Sequence, residues 1–238
     1  MYSTDLAYIH DAGFGAFARE VAPEIVAILR RSRIGSGLVA EIGCGSGTLA
    51  RHLVENGYRV LGYDISAAMI RLARAKAPRA EFRVASLADA PLPSCAAVVS
   101  VGEVVAYVPG GLPVLRRFFA RAHDALAPGG VLVFDFIGSP RGRTYPTKTL
   151  SGRGWTIAVR TTFNRTTSVL TRRMRTRRRV GTRMRSTRET HRVRVYDVRV
   201  IRKALERCGF DVATSRAFGR RKLMAGDLAV IARKSPSI

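Results

Sequence analysis

The chain has 238 residues, 47% of them hydrophobic, and carries 41 Lys and Arg against 17 Asp and Glu, a formal net charge of +24. This length fits one large α/β domain with an elaboration rather than two full domains, and the apolar share is ample for its core. The apolar runs are only strand-length, which argues against a membrane span. Cys44, Cys95 and Cys208 show neither metal-ligand nor CxxC spacing.

No basic segment followed by a long apolar run opens the chain, so no signal peptide is expected. The cysteines read as small core or loop residues in a reducing cytoplasm. Residues 1–36 divide in two. The first half mixes Tyr2, Tyr8, His10, Asp11 and Phe14 around Gly13 and Gly15, and the second half is an amphipathic helix. A piece placed before the first strand in this way is expected to fold over a cleft as a helical lid.

Leu38–Ile42 is the first strand, and Gly43, Gly45 and Gly47 follow it at alternate positions. Thr48–Asn56 reads as a helix stopped by Gly57. Tyr58–Tyr63 is a second strand closed by Asp64. Ser66 caps a helix to about Ala77, with Pro78 beyond its end. Glu81–Ala85, Ala96–Val101 and Val131–Phe136 are the third, fourth and fifth strands, and Leu112–Leu126 is a helix closed by Pro128, Gly129 and Gly130. This alternation demands a parallel sheet. Right-handed crossovers then place a ligand at the carboxyl ends of its strands.

Glycines at this density let the backbone turn tightly and approach a ligand, and the helix that follows points free N–H groups at the loop. Asp64 is placed to accept hydrogen bonds from a ribose diol. The unit therefore reads as a binder of a nucleoside-bearing cofactor. The spacing is not the dinucleotide G-x-G-x-x-G, because Thr48 stands where the third glycine belongs, and no G-K-[ST] follows.

Residues 155–196 change character. They are rich in Thr, Val and Arg, with a partial period of two that sets Arg173, Arg175 and Arg177 opposite Arg172, Met174 and Thr176, and Gly181 offers a turn. An antiparallel β insertion is expected on the ligand-facing side. Between Arg172 and Arg194 its arginines are opposed by the single acid Glu189. Such a field attracts anions. Asp197 then caps a helix over Val198–Cys208, and Phe210–Thr214 and Leu228–Ala232 complete the sheet. The division is 1–36 lid, 37–150 cofactor-binding core, 151–196 Arg-rich insertion and 197–238 completion of the core.

The run EIGCGSG with its distal Asp64, continued by DISAAMIRLAR, resembles motif I and the following acidic residue of class I S-adenosylmethionine (SAM) methyltransferases. The resemblance covers residues 37 to 136 strongly and 197 to 233 by topology. It implies a single Rossmann-like domain with a mostly parallel seven-stranded sheet and SAM as cofactor. It also implies that Glu41, Gly43 and Gly45 line the methionine moiety, with Cys44 and Gly47 among the cofactor-binding residues, that Asp64 holds the ribose hydroxyls, and that Ile65 and Met69 pack near the adenine. Where the family usually carries Asp this chain has Ser86, whose hydroxyl can meet the adenine edge with the N–H of Leu87. After the fourth strand, Gly102, Glu103 and Tyr107 stand where such enzymes line the methyl-transfer site. Lid and insertion together are similar to a bacterial subgroup of small-molecule and amino-sugar N-methyltransferases.

Methyl transfer mainly requires alignment of acceptor and methyl carbon, and a base helps where the acceptor is a hydroxyl or ammonium. Glu103, His191 and His10 are the candidate bases, and Tyr107 can orient the acceptor. Trp155 and Tyr196 either line the acceptor pocket or anchor the insertion. The expected activity is methylation of an O or N atom of a small metabolite, an anionic one among the options. Two alternatives stand beside it: an RNA methyltransferase whose Arg-rich insertion holds phosphates, disfavoured by the scarcity of aromatics there, and a non-catalytic SAM-binding protein. Oligomeric state is left open.

Overall fold

Val39 and Ala40, Ala97 to Val99, and Val131 to Phe134 are almost fully buried, as strands covered by helices on both faces must be. In the computed structural model, which describes residues 2–138 and 145–235, α1 (Thr4–Arg31) precedes the run β1 (Gly37–Ile42), α2 (Thr48–Glu55), β2 (Tyr58–Asp64), α3 (Ala67–Lys76), β3 (Glu81–Val84), β4 (Cys95–Ser100), α4 (Leu112–Ala125) and β5 (Leu126–Ile137). Four further strands follow, β6 (Lys148–Gly152), β7 (Trp155–Asn164), β8 (Val169–Val180) and β9 (Arg183–Arg194). The chain closes with α5 (Val198–Glu206), β10 (Phe210–Ser215), the short β11 (Ala217–Phe218) and β12 (Arg221–Lys222), and β13 (Asp227–Lys234).

The central sheet has seven strands in the order β10-β13-β5-β4-β1-β2-β3. β1 is parallel to β2 and β4, β2 to β3, and β4 to β5, while β13 runs antiparallel between β5 and β10. The mostly parallel seven-stranded fold is therefore as expected, with the carboxyl ends of β1, β2, β4 and β5 side by side. The caps also form as the sequence indicates: Ser66 Oγ accepts from the Met69 N–H at 3.3 Å, and the Asp197 carboxylate from the Arg199 N–H at 2.8 Å. The small hairpin of β11 and β12 has no counterpart in the sequence reading.

Residues 2–31 differ from the two-part expectation, because one helix runs from Thr4 to Arg31. Gly13 and Gly15 do not break it. Gly13 is instead the clearance for Trp155, whose ring would lie 2.6 Å from a Cβ at that position. The helix spans two cores. Its later half, including Val21, Ile25 and Leu29, packs with the layer that covers one face of the central sheet. Its earlier half, through Leu6 and Ile9, packs with Trp155, Ile157 and Met174 of the insertion.

The insertion is an antiparallel sheet in the order β6-β7-β8-β9, and it begins at Lys148 rather than residue 151. Gly181, at φ +60, lies in the turn between β8 and β9. The period of two holds along β8: Leu170, Met174 and Thr176 are buried, whereas Arg173, Arg175 and Arg177 are exposed. Ala106, Ile137, Leu170 and Val193 form a further small core that fixes this sheet beside the end of β5.

A Gly13→Leu substitution should dislodge the early half of α1 from Trp155 while leaving the later half seated. Trypsin should then cut after Arg19 faster, with the melting temperature of the central sheet little changed. An unaltered cleavage rate would show that this contact does not hold the helix down.

Candidate functional site

The glycine loop is tied to β2 by its own backbone. The amides of Gly43 and Cys44 both donate to the Tyr63 carbonyl, at 2.7 and 2.9 Å. The Gly45 N–H donates to Asp64 Oδ2 at 3.0 Å, and the Ser66 N–H to Asp64 Oδ1 at 2.8 Å. Gly43 has φ +72, and a Cβ there would lie 2.4 Å from Val104 Cγ2. A left-handed backbone in so tight a space admits only glycine. Above Gly45, in contrast, a Cβ would meet nothing within 4 Å, so the loop presents bare backbone on that side.

Two carboxyls lie beneath the loop. Glu41 is buried, and its Oε2 has no hydrogen-bond partner. Burial, reinforced by the Asp64 charge, pushes it up to about 8. Burial likewise raises Asp64, against the pull of its two amide donors. The thiol of Cys44, buried beside them, is raised by burial first and then by Glu41 and Asp64. A cationic ammonium is the group that would relieve the orphaned Glu41 oxygen, and a diol is what the free lone pairs of Asp64 can receive. The residues present thus suit an amino acid joined to a ribonucleoside.

The second half of the site gathers where β4 and β5 end. The Asp135 carboxylate accepts from the Gly102 N–H at 2.7 Å and from the Glu103 N–H at 3.0 Å. Burial first and the Glu103 charge second push Asp135 to about 8. These two bonds hold Glu103 in a left-handed conformation, φ 64. Its side chain reaches Arg172 of β8, which donates to Glu103 Oε2 at 2.8 Å and to the Tyr107 hydroxyl at 2.7 Å. Arg172 is raised despite its burial by Tyr107 and Glu103, so it stays cationic.

His191 of β9 lies against this group, with its ring edge-on to Tyr107 at 5.9 Å and to Tyr2 at 5.1 Å. Its Nε2 bonds Glu189 Oε2 at 3.1 Å, and its buried Nδ1 has no partner. A carboxylate only accepts, so Nε2 carries the proton and Nδ1 the lone pair. Burial lowers the His191 pKa against the pull of Glu189. Glu189 also accepts from the Ser3 N–H at 3.1 Å, and the Tyr2 carbonyl accepts from Ser66 Oγ at 2.9 Å. The start of the chain therefore bridges His191 and the Asp64 loop.

The remaining anticipated residues fall as follows. His10 is packed between Tyr2 and Phe14, and burial brings it down to about 4. Ile65 is 46% exposed beside Asp64, whereas the Met69 side chain is buried. Ser86 turns its hydroxyl to the Ala88 N–H at 3.2 Å, and the buried Leu87 offers its carbonyl to Arg121 at 2.6 Å. Gly47, at φ +78, packs on Ala73 and opens α2, while Gly102 has φ +94. Trp155 and Tyr196 both anchor the insertion, the first on α1 and the second in the main core. Asp11, Ser46, Thr48 and Lys76 form a polar cluster joining α1 to the loop.

Asp135, Arg172 and Glu189 were not foreseen as site residues. Asp135 had a signal, a lone acid in an apolar strand. So did Glu189, the one acid among the arginines and two residues from His191 on the same strand face. Arg172 had none that set it apart from its neighbours.

Residues 39–130 match the family profile described as a methyltransferase domain. A trans-aconitate 2-methyltransferase of Paracidovorax citrulli is 40% identical over 101 residues, 41% of this chain and 37% of the relative. A dTDP-3-amino-3,6-dideoxy-alpha-D-glucopyranose N,N-dimethyltransferase of Streptomyces fradiae is 27% identical over 141 residues, 56% of this chain and 54% of the relative. The matched stretches thus span about half or less of these curated relatives. The structure of SAM-bound CalS10, an amino pentose methyltransferase of Micromonospora echinaspora, aligns over 92% of each chain with a TM-score of 0.75 at 20% identity, which establishes a shared fold. Residues 39–130 thus match a methyltransferase domain, and the chain shares the fold of a SAM-bound methyltransferase. Among the described residues, no helix is long and apolar enough to cross a membrane, and no His, Cys, Asp and Glu group is arranged to hold a metal.

The two raised carboxyls give a pH signature. Glu41 and Asp135 keep their protons to about pH 8 in the folded chain, against ordinary values of 4.5 and 3.8. Their contribution to stability is therefore whole below those ordinary values and declines as pH rises towards 8. Without cofactor, the melting temperature should fall between pH 5 and pH 8 by a smaller amount in Glu41→Gln than in the parent. Parallel curves would show that Glu41 ionises at its ordinary pKa.

Proposed function

We propose that this protein transfers a methyl group from SAM to a nitrogen of a small-molecule acceptor, with His191 as the base. The observation that carries this reading is the buried His191–Glu189 pair, its Nδ1 lone pair free and the Tyr2 and Tyr107 rings against it, next to the Asp64 loop. Asp64 would hold the ribose hydroxyls, Glu41 the amino group of the methionine moiety, and the backbone of Gly43 to Gly45 would lie along that moiety. Ile65 would offer an apolar surface to the adenine. Bound there, SAM supplies a methyl carbon on a positively charged sulfur, which needs no acid to leave.

The chain's own work is then alignment and proton removal. Glu189 fixes the His191 tautomer, and the lowered pKa keeps the imidazole neutral near pH 7, ready to accept a proton from an ammonium acceptor. Because the Ser3 amide also bonds Glu189, docking of α1 would complete the base as it excludes water. Glu103 is engaged by Arg172 and would serve as its anchor, leaving the Tyr107 hydroxyl to orient the acceptor. Nitrogen is favoured over a carboxylate oxygen because two carboxylates, Glu103 and Glu189, stand on this wall against one guanidinium, Arg172. An anionic group elsewhere on the acceptor would still be drawn in by the net charge of +24.

The trans-aconitate enzyme and the amino-sugar dimethyltransferase among the relatives both act on small molecules by name, which supports a small acceptor. RNA as the acceptor is less well supported, because most arginines of the insertion point away from the cleft. A non-catalytic SAM-binding role would leave the buried base without a purpose. Release of S-adenosylhomocysteine should be seen with a dTDP-amino sugar and not with trans-aconitate. His191→Ala should lower kcat about 100-fold or more with affinity for S-adenosylhomocysteine unchanged. Turnover of trans-aconitate, or full activity in His191→Ala, would refute the assignment.

A further inference from the structure

The outer face of the insertion sheet carries a charge array that the site does not use. Arg173, Arg175, Arg177 and Arg179 of β8 are exposed on the face turned away from α1. On that face Arg160 of β7 stands directly opposite Arg173, and Arg188 of β9 directly opposite Arg175. Like charges paired across antiparallel strands destabilise a sheet.

The inner face shows how such a pair is neutralised. There Arg178 stands opposite Arg185, and the buried Asp5 approaches both, at 3.0 and 3.9 Å, while the Tyr8 ring lies under the Arg178 guanidinium at 3.6 Å. The outer pairs have no equivalent. Glu189 is the single acid between residues 148 and 194, and its side chain is on the inner face. Among the described residues, none of these outer guanidinium groups is paired with a carboxylate. Any anion that plays the part of Asp5 on the outer face would come from outside the described residues.

We infer that this face is a docking surface for the phosphate backbone of a single-stranded nucleic acid, separate from the methyl-transfer site. Successive outward arginines on β8 lie about 6.7 Å apart, a linear repeat suited to a chain of anions rather than to one small anion. Guanidinium forks match phosphate oxygens in pairs, and Lys148 is the one lysine between residues 148 and 194. Thr162, Thr171, Ser186 and Thr190 share the face by register and add neutral donors of the kind that contact phosphate. Large apolar exposure on this face is confined, among the described residues, to Met184 and the partly exposed Val169 at its ends, too little to seat in a bilayer. The face has no aromatic platform for bases, so it reads the backbone and not the sequence.

The experiment is anisotropy of a labelled mixed-sequence single-stranded RNA with the full chain, across a salt series. Arg173→Glu combined with Arg188→Glu turns both outer like-charge pairs into opposite-charge pairs. RNA affinity should fall roughly tenfold or more, and the slope of log affinity on log salt should shrink by about 1.4 for two lost phosphate contacts. The same variant should melt no lower than the parent and bind S-adenosylhomocysteine equally well. That separates this inference from the methyltransferase reading. Should the double variant fold poorly, Arg177→Gln gives a smaller loss of affinity on an otherwise unaltered strand. Unchanged RNA affinity in the variants, salt-independent binding, or capture by phosphatidylglycerol vesicles in preference to RNA would overturn it.

Discussion

The carboxylate of Asp64 is the fixed point of this molecule. It takes one amide from the glycine loop after β1 and another from the start of α3, so two consecutive βα turns close around a single side chain. Because β1 and β2 are parallel and in register from Gly37 and Tyr58 onward, their ends arrive together, and the Tyr63 carbonyl binds the loop from the strand side. The carboxylate that secures the loop also retains lone pairs directed away from it. The atom pair that closes the loop is also the one proposed to receive the ribose hydroxyls.

Around that point the polar groups are arranged in an unusual balance. Glu41 and Asp135 are both buried and pushed up to about 8, one beneath the loop and one beneath the turn after β4. Asp135 uses both oxygens to hold the Gly102 and Glu103 amides, and this sets the Glu103 side chain towards Arg172. Arg172 then links the core to the insertion, and Glu189 links the insertion to the first residues of the chain. Each bond is ordinary in strength, but the chain of bonds makes α1, the loop and the β insertion one unit. Gly13 adds a packing condition, since Trp155 fits only where α1 has no side chain.

The sheet, its strand boundaries to within a few residues and the caps at Ser66 and Asp197 were legible because they follow from local rules: apolar runs, glycine stops and side-chain oxygens before helices. The glycine loop and its neighbour Asp64 were legible as a tight turn after the first strand for the same reason. What was not legible depends on distant partners. The first half of α1, around Gly13 and Gly15, was not legible as helix because nothing in the local sequence reveals Trp155, more than a hundred residues later. The place of Glu103 after β4 is visible in the sequence, whereas its salt bridge to Arg172 is not. Arg172 and Arg173 differ only in which face of β8 they occupy, and the alternation that separates a site residue from a surface one is blurred when both faces carry arginine.

The most direct test of the account is calorimetric titration of S-adenosylhomocysteine into the parent chain and into Asp64→Ala. Binding to the parent with a loss of roughly tenfold or more in the variant, the scale of a charged partner lost from a diol and a loop together, is the expected result. Equal affinity in the two proteins, with the variant folded, would contradict the claim that this carboxylate organises the cofactor site.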